Sequence, residues 1–413
     1  MTWRSPWGRA LTAYVLDFKL TRAGKYLVAG GVIAGVFAMP SIFVPVYTVL
    51  GTLFAVGFLA ALVNLGYRPR LRLSGTFPDR AVAGEPVEAK LLVTNVGHLP
   101  AYDVGVGFLR LPKQLKELGA GHHVAHLPGG ETVSVPVRIR ALRRGSYPLP
   151  ALRVFSTFPF NLLRSGSGRM RPGPLLVLPA FSPAADIGVP VSPRHQPGGI
   201  ALTSHLGESP EYVGNRDFHP GDPIRRIDAH AWARLARPIV REYQEEYFCR
   251  LALVLDTYVP PWRRSTPEGF PGLEAGISLA ATVTDALSRG EYLIDIFAAG
   301  PKLFTFRTGR HTSHFDSLLE VLACLEPCRT NPFDTLVPAL AEELRNISSV
   351  ICIFLDWDSS RRDLVRMASE SGCRVKCLLV RDGNTTEAVD PGEADEVGFY
   401  TPAAIRAGGF EIL

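Results

Sequence analysis

From Tyr26 to Tyr67 the chain runs YLVAGGVIAGVFAMPSIFVPVYTVLGTLFAVGFLAALVNLGY, without a single Asp, Glu, Lys or Arg. This is roughly twice the ~20 apolar residues one helix needs to cross a bilayer, so it predicts two transmembrane helices over 26–67. Pro40 and Pro45 disrupt helix geometry and place the turn of this hairpin near Met39 to Pro45. Gly31 and Gly35 fit close packing of one helix on the other. Between Leu71 and Leu178 the pattern changes to short alternating runs, PVEAKLLVTNVG, AYDVGVGFLRL, TVSVPVRIRAL and LPALRVFS, separated by Pro, Gly and Asn. Such spacing predicts an antiparallel, Ig-like β-sandwich over 70–180, with Asn95-Val96-Gly97 and Pro128-Gly129-Gly130 as strand connections.

Apolar strands then alternate with amphipathic helices. RLALVLD (250–256), YLIDIFAAG, SSVICIFLD (348–356) and RVKCLLV are separated by GLEAGISLAATVTDALSRG and by helical runs near 313–324, 335–345 and 359–371. This order predicts crossover units around a mainly parallel, buried sheet over 248–413. The chain is therefore multidomain: a basic N-terminus over 1–25, the hairpin, the sandwich, a charged segment over 195–247 and the α/β domain.

Composition narrows the classes. The 413 residues are 46% hydrophobic and 20% charged, enough for several packed cores and too apolar for a disordered chain. A net charge of +5, from 44 Lys+Arg against 39 Asp+Glu, has no basic cluster outside the N-terminal segment, so no nucleic-acid partner is expected. Arg4, Arg9, Lys19, Arg22 and Lys25 precede the first span, and Arg68, Arg70 and Arg72 follow the second. By the positive-inside rule both ends lie in the cytoplasm, which describes a multi-pass protein of the cytoplasmic, inner membrane. A cleaved signal peptide is the alternative, but its apolar region is shorter and ends in a small-residue cleavage site. Cys249, Cys324, Cys328, Cys352, Cys373 and Cys377 fall mostly inside apolar runs, as reduced core thiols do.

Two strands end in aspartates, Asp256 and Asp356, where open α/β sheets bind ligands. Magnesium takes carboxylate and hydroxyl oxygens in a near-octahedral array. Asp256 with Thr257, Thr335 at a helix start, and Asp356 or Asp358 could supply them; alternatively the strand-end aspartates cap the following helices. No phosphate-cradling Gly-rich loop ends in Lys-Ser/Thr and no serine sits in a nucleophile elbow. The Cys324/Cys328 and Cys373/Cys377 pairs read as core rather than zinc, with Cys373, Val375 and Cys377 on one face of a strand. His122, His123 and His126 read as an exposed loop, and His311 and His314 beside Asp316 as a surface cap.

Residues 215–246, NRDFHPGDPIRRIDAHAWARLARPIVREYQEE, concentrate paired charge. Pro220-Gly221 supplies a tight turn, and Asp222 before Pro223 an N-cap for a short helix. Arg225 and Asp228 lie three apart. IVREYQEEY alternates like a strand, which is expected along the sheet edge just before the first core strand, with Ile239 and Val240 on opposite sides. Arg216, Asp222, Arg225, Asp228, Arg234 and Glu242 are expected to interlock as a partly buried network; a solvated charged face is the alternative.

This stretch resembles the signature of the bacterial and archaeal family known as domain of unknown function 58: an Arg (Arg216), Pro-Gly-Asp (220–222), an Arg (Arg225), Ile-Asp (227–228), Ala-Arg (233–234) and Val-Arg-x-x-x-x-Glu (240–246). LPALRVFSTFPFNLLR resembles the family's Pro-Phe-x-Leu segment, and ALRRGSYPL its Arg-Gly-x-Tyr. The family layout of membrane hairpin, β-sandwich, signature and von Willebrand factor A-like domain covers nearly the whole chain. This chain departs from it at Ala229, where the family has Trp, and at Trp232, where it has Ser. Factor A domains use Asp-x-Ser-x-Ser, and Asp256-Thr257-Tyr258-Val259-Pro260 keeps only the aspartate. The resemblance implies a non-enzymatic, membrane-anchored adaptor that works with a MoxR-type AAA ATPase, with its client unnamed and no cofactor required. The rival is a membrane-bound, divalent-metal-dependent hydrolase using Asp256, Asp356 and Asp358.

Overall fold

The computed structural model describes residues 18–39, 44–119, 123–166, 168–189, 211–222, 224–244, 249–289, 292–299, 303–307, 313–390 and 392–408. The expectations placed on Arg4, Arg9, Pro40, His122, Pro223, Glu245, Glu246 and His311, and on 195–210, lie outside these residues. The chain forms two compact units, Met1–Ala180 with Arg263–Pro271 and Leu319–Leu325, and Phe181–Trp262 with Gly272–Leu318 and Glu326–Leu413.

The first unit begins with helices α1 (Arg22–Ala38) and α2 (Val44–Gly66). At about 1.5 Å per residue, the 23 residues of α2 reach the ~30 Å of a bilayer core, whereas the 17 residues of α1 fall short of it. Where the charge-free stretch predicts two spans, among the described residues one helix, over Pro45–Gly66, is long and apolar enough to cross a membrane. Tyr47 Oη donates to the Ala38 carbonyl at 2.9 Å. A Cβ on Gly31 or Gly35 would meet nothing, so these are not the close contacts between the helices; a Cβ on Gly57 would lie 3.3 Å from Leu27 Cδ2.

Eleven strands follow: β1 (Leu71–Ser74), β2 (Arg80–Val82), β3 (Pro86–Asn95), β4 (Ala101–Phe108), β5 (Leu115–Glu117), β6 (Val124–Leu127), β7 (Thr132–Ala141), β8 (Gly145–Pro148), β9 (Leu152–Ser156), β10 (Arg169–Met170) and β11 (Pro174–Leu178). They form antiparallel sheets β1-β3-β7-β5 and β10-β9-β4-β6, with a smaller sheet β2-β11-β8. Period-two alternation turns Leu91, Val93, Val137 and Ile139 of one sheet and Val104, Val106, Leu152 and Val154 of the other into a single core. The Asn95 turn is held from inside: its buried amide donates to Leu99 and Leu127 carbonyls at 2.9 and 3.1 Å and accepts from Gly97 N at 3.0 Å. His126 lies on β6 opposite Tyr102, not in the loop expected for it, because the strand extends from Val124.

The Pro-Phe-x-Leu segment is where α1 sits. Phe160 and Asn161 take left-handed backbone, and Leu162 O accepts from Thr21 N at 3.1 Å. Thr21 caps α1 by accepting from Gly24 N at 3.0 Å, while its hydroxyl donates to Asn161 O. A Cβ at position 24 would lie 2.2 Å from Leu162 O, so only glycine permits this approach. The arginine of Arg-Gly-x-Tyr is buried: Arg144 Nε and Nη2 donate at 2.9 and 2.8 Å to the carbonyls of Leu322 and Leu325.

In the second unit β12 (Glu211–Asp217) and β13 (Ile239–Gln244) flank helix α3 (Ala229–Leu235). Then come β14 (Cys249–Leu255), α4 (Pro271–Ser288), β15 (Tyr292–Ala299), β16 (Leu303–Arg307), α5 (Ser313–Cys324, of which the residues from Leu319 belong to the first unit), α6 (Phe333–Glu343), β17 (Ser349–Phe354), α7 (Ser359–Glu370), β18 (Arg374–Val380), β19 (Glu396–Tyr400) and α8 (Pro402–Ala407). The sheet order is β16-β15-β14-β17-β18-β19, parallel except where β16 pairs with β15. All six β17 residues are buried, as helix cover on both faces of a parallel sheet requires. Phe333, Leu336 and Leu340 of α6 and Leu364, Val365 and Ala368 of α7 pack against it. Cys328, Cys352, Cys373 and Cys377 are buried free thiols, but Cys324, at the last residue of α5, is exposed.

Gly24→Ala is expected to lower the thermal midpoint of the detergent-solubilised protein, at about 1–3 kcal/mol for the overpacked contact. Gly31→Ala and Gly35→Ala, which point into open space, leave it unchanged or higher.

Candidate functional site

Strand β14 ends one residue before Asp256, whose side chain is 0% exposed. A buried carboxylate needs both charge and hydrogen-bond compensation. Asp256 Oδ1 accepts from Tyr258 N at 2.8 Å, and Oδ2 from Leu355 N at 3.0 Å. Arg361 completes the set, with Nε and Nη2 at 2.9 and 2.6 Å from Oδ2. Asp358 caps α7, accepting from Arg361 N at 3.1 Å, and its carboxylate also pairs with the Arg361 guanidinium. The guanidinium lies over the Phe333 ring, 4.9 Å from the centroid. Burial opposes the charge on Arg361, but Asp256, then Asp358 and Asp356, hold its pKa above the ordinary value.

Asp356, after β17, is similarly engaged. It accepts from Trp357 N and Thr386 N at 2.8 Å each and from Thr386 Oγ1 at 2.7 Å, and it pairs with Arg381. Burial pushes its pKa up, and the Thr386, Trp357 and Arg381 hydrogen bonds outweigh this to leave it lowered. Thr335 is exposed at the start of α6 and donates to Pro332 O at 3.0 Å.

Asp256 and Asp356 each already hold an arginine on Oδ2, with backbone N–H groups on Oδ1, and Thr335 donates to a backbone carbonyl, so the three present a poor set for a divalent cation. Among the described residues no group of three His, Cys, Asp or Glu is placed to hold a metal. Of the strand-end aspartates, neither caps a helix; that role belongs to Asp358.

The charged segment forms a two-stranded antiparallel ribbon, β12 with β13, separate from the six-stranded sheet whose edge it was expected to follow. Ile239 and Val240, consecutive in β13, are both buried; Val240 pairs with Arg216 on one flank and is bridged by Ile227 on the other. Pro220 and Gly221 are the central pair of a turn closed by Asp222 N donating to His219 O at 3.0 Å, with Gly221 in the left-handed region. The short helix expected after Asp222 is a 3-10 turn over Ile224–Arg226, to which, among the described residues, Asp222 makes no cap bond: it accepts from His219 N at 2.8 Å and holds Arg216 bidentately at 2.8 and 2.7 Å. The cap falls instead at Asp228, which accepts from His230 N and Ala231 N at 3.0 and 3.1 Å.

Asp228 pairs with Arg241 at 3.1 Å, not with Arg225 three residues away, and Arg237 pairs with Asp217 at 3.0 Å. Among the described side chains the network is seen as the pairs Arg216–Asp222, Arg241–Asp228 and Arg237–Asp217, with Asp217, Arg237 and Arg241 as members the spacing did not single out; the side chain expected of Glu242 lies outside those described. Among the described residues Arg225 and Arg234 make no ion pair, and both are exposed. Glu242 lies in β13 opposite Gly214. Around these arginines Ile224 is 81%, Trp232 45% and Leu235 45% exposed.

No protein-family profile and no curated protein matches the chain. An aerotolerance-related membrane protein from Bacteroides fragilis aligns over 38% of this chain and 97% of its own, at 12% identity and a TM-score of 0.27. A CARDB domain from Pyrococcus furiosus aligns over 27% and 95%, at 12% identity and a TM-score of 0.19. Likeness at this level leaves the function of the chain to its own residues.

Hydrogen bonds from Arg216 and His219 N hold the Asp222 carboxyl down at about 2, and those from Ala231 N and Arg241 do the same for Asp228. Both values lie below the ~3.9 of an unfolded aspartate, so each pair stabilises fully above about pH 4 and is lost as pH falls toward about 2. Thermal midpoints measured across that window fall for the wild type; Asp222→Asn with Asp228→Asn flattens the slope. Equal slopes would contradict the pairing.

Proposed function

We propose that the chain is a non-enzymatic, membrane-anchored adaptor that engages a MoxR-type AAA ATPase through the surface of its second unit. The observation that carries this reading is the exposed face of the charged ribbon. Three ion pairs and a helix cap fasten β12, the Pro220-Gly221 turn, α3 and β13 together, and among the described residues Arg225 and Arg234 stay exposed without an ion pair beside exposed Ile224, Trp232 and Leu235. Tryptophan and arginine are over-represented among residues that carry binding energy in protein interfaces. In this reading α2 anchors the chain in the inner membrane, and the basic residues that follow it, Arg68, Arg70 and Arg72, keep the chain beyond it in the cytoplasm.

The acidic groups that a hydrolase would use are already held by arginine, which favours the adaptor over the metal-dependent hydrolase. The client of such an adaptor is a question for its partner. Co-purification from detergent with a co-expressed MoxR-type ATPase tests the reading. The wild type retains the ATPase; Arg225→Glu with Arg234→Glu, or Trp232→Ala, reduces retention at least tenfold, about 1.4 kcal/mol or more. Unchanged retention in these variants, with normal melting, removes the ribbon from the interface.

A further inference from the structure

The strand-end site carries a second conclusion, independent of any partner. Its carboxylates have the arrangement that commonly calls for a cation: Asp256 at the end of β14, Asp358 at the head of α7 and Asp356 after β17. The cation present is Arg361. It touches Asp256 through two nitrogens and Asp358 through a third, and its face rests on Phe333. Its side chain is only 3% exposed. Arg381 does the same for Asp356, whose remaining acceptor positions are filled by Thr386 and Trp357 N.

We propose that Arg361 is the permanent cation of this site, a tethered guanidinium standing where an exchangeable divalent ion would otherwise be held, so that the second unit is complete and stable without metal. Three elements depend on it. Asp256 belongs to the end of β14, Phe333 opens α6, and Arg361 and Asp358 belong to the first turn of α7. A hydrated metal ion at Asp256 would have to displace a charge that cannot diffuse away, because Arg361 holds Oδ2 through two nitrogens beside Leu355 N, and Oδ1 accepts from Tyr258 N. Guanidinium stays protonated at all physiological pH, so the latch has no titration of its own in that range.

The test uses full-length protein in detergent. Wild-type protein is expected to melt at the same temperature in EDTA, millimolar magnesium and millimolar manganese, and to give no binding heat with manganese in calorimetry. Arg361→Gln leaves Asp256 buried without its counter-charge and lowers the midpoint by at least about 6 °C. Asp256→Asn combined with Arg361→Gln loses less than the two single losses added, because each single variant strands a partner. A manganese-dependent rise in the wild-type midpoint that Asp256→Asn abolishes would overturn the proposal, as would an Arg361→Gln protein that melts where the wild type does. The wild-type arms remain decisive if a variant fails to fold.

Discussion

A carboxylate at the end of a central strand in a sheet buried on both faces must find its counter-charge inside the protein. Removing an ion from water costs several kcal/mol even after relaxation, and only a close, well hydrogen-bonded partner offsets it. Asp256 meets that demand with two backbone N–H groups and Arg361. Because Arg361 sits in the first turn of α7 and Phe333 opens α6, this one pair sets where two helices begin over the sheet. The same solution recurs at Asp356 with Arg381 and Thr386. Both strand-end carboxylates are thereby tied to elements that follow them in the chain.

The charged ribbon solves a different problem, that of a small sheet with little core. Arg216–Asp222 and Arg241–Asp228 place sheltered carboxylates, 14% and 13% exposed, under half-exposed arginines, whereas Arg237–Asp217 is open to solvent on both sides. Exposed pairs contribute roughly 0–1 kcal/mol each, so the backbone hydrogen bonds to Asp222 and Asp228 matter at least as much. Asp217, Asp222 and Asp228 are engaged in this way, while Arg225 and Arg234 are exposed among apolar side chains. This division between holding and presenting is the physical basis for reading the ribbon as an interaction surface.

Rigidity continues to the first unit. Thr21 and Gly24 dock the start of α1 onto the Leu162 carbonyl, and the ring of Phe18 packs edge-on against Phe155 at 5.8 Å. A helix start stapled to a sandwich transmits position instead of swinging on a linker. Arg144 likewise satisfies carbonyls at the end of α5 that would otherwise lack donors.

Periodicity sufficed for what is local. The apolar helix α2, the alternation of β3 and β7, and the continuous apolar strands β14, β17 and β18 each announce their environment, because side-chain burial repeats with the geometry of the element itself, whereas the second span read from the run over 26–67 did not follow. The turn at Pro220-Gly221 was equally legible from backbone restriction alone. Charge pairing was not. Asp256 and Arg361 are 105 positions apart, and Asp217 and Arg237 are 20 apart, while the nearby Arg225 and Asp228 point elsewhere. A charge has no periodicity and accepts any partner that folding brings within about 4 Å, so residue type and spacing nominate candidates without choosing among them. Which aspartate meets an arginine, and which is left for a metal or a partner, was decided only when the strands and helices were brought together.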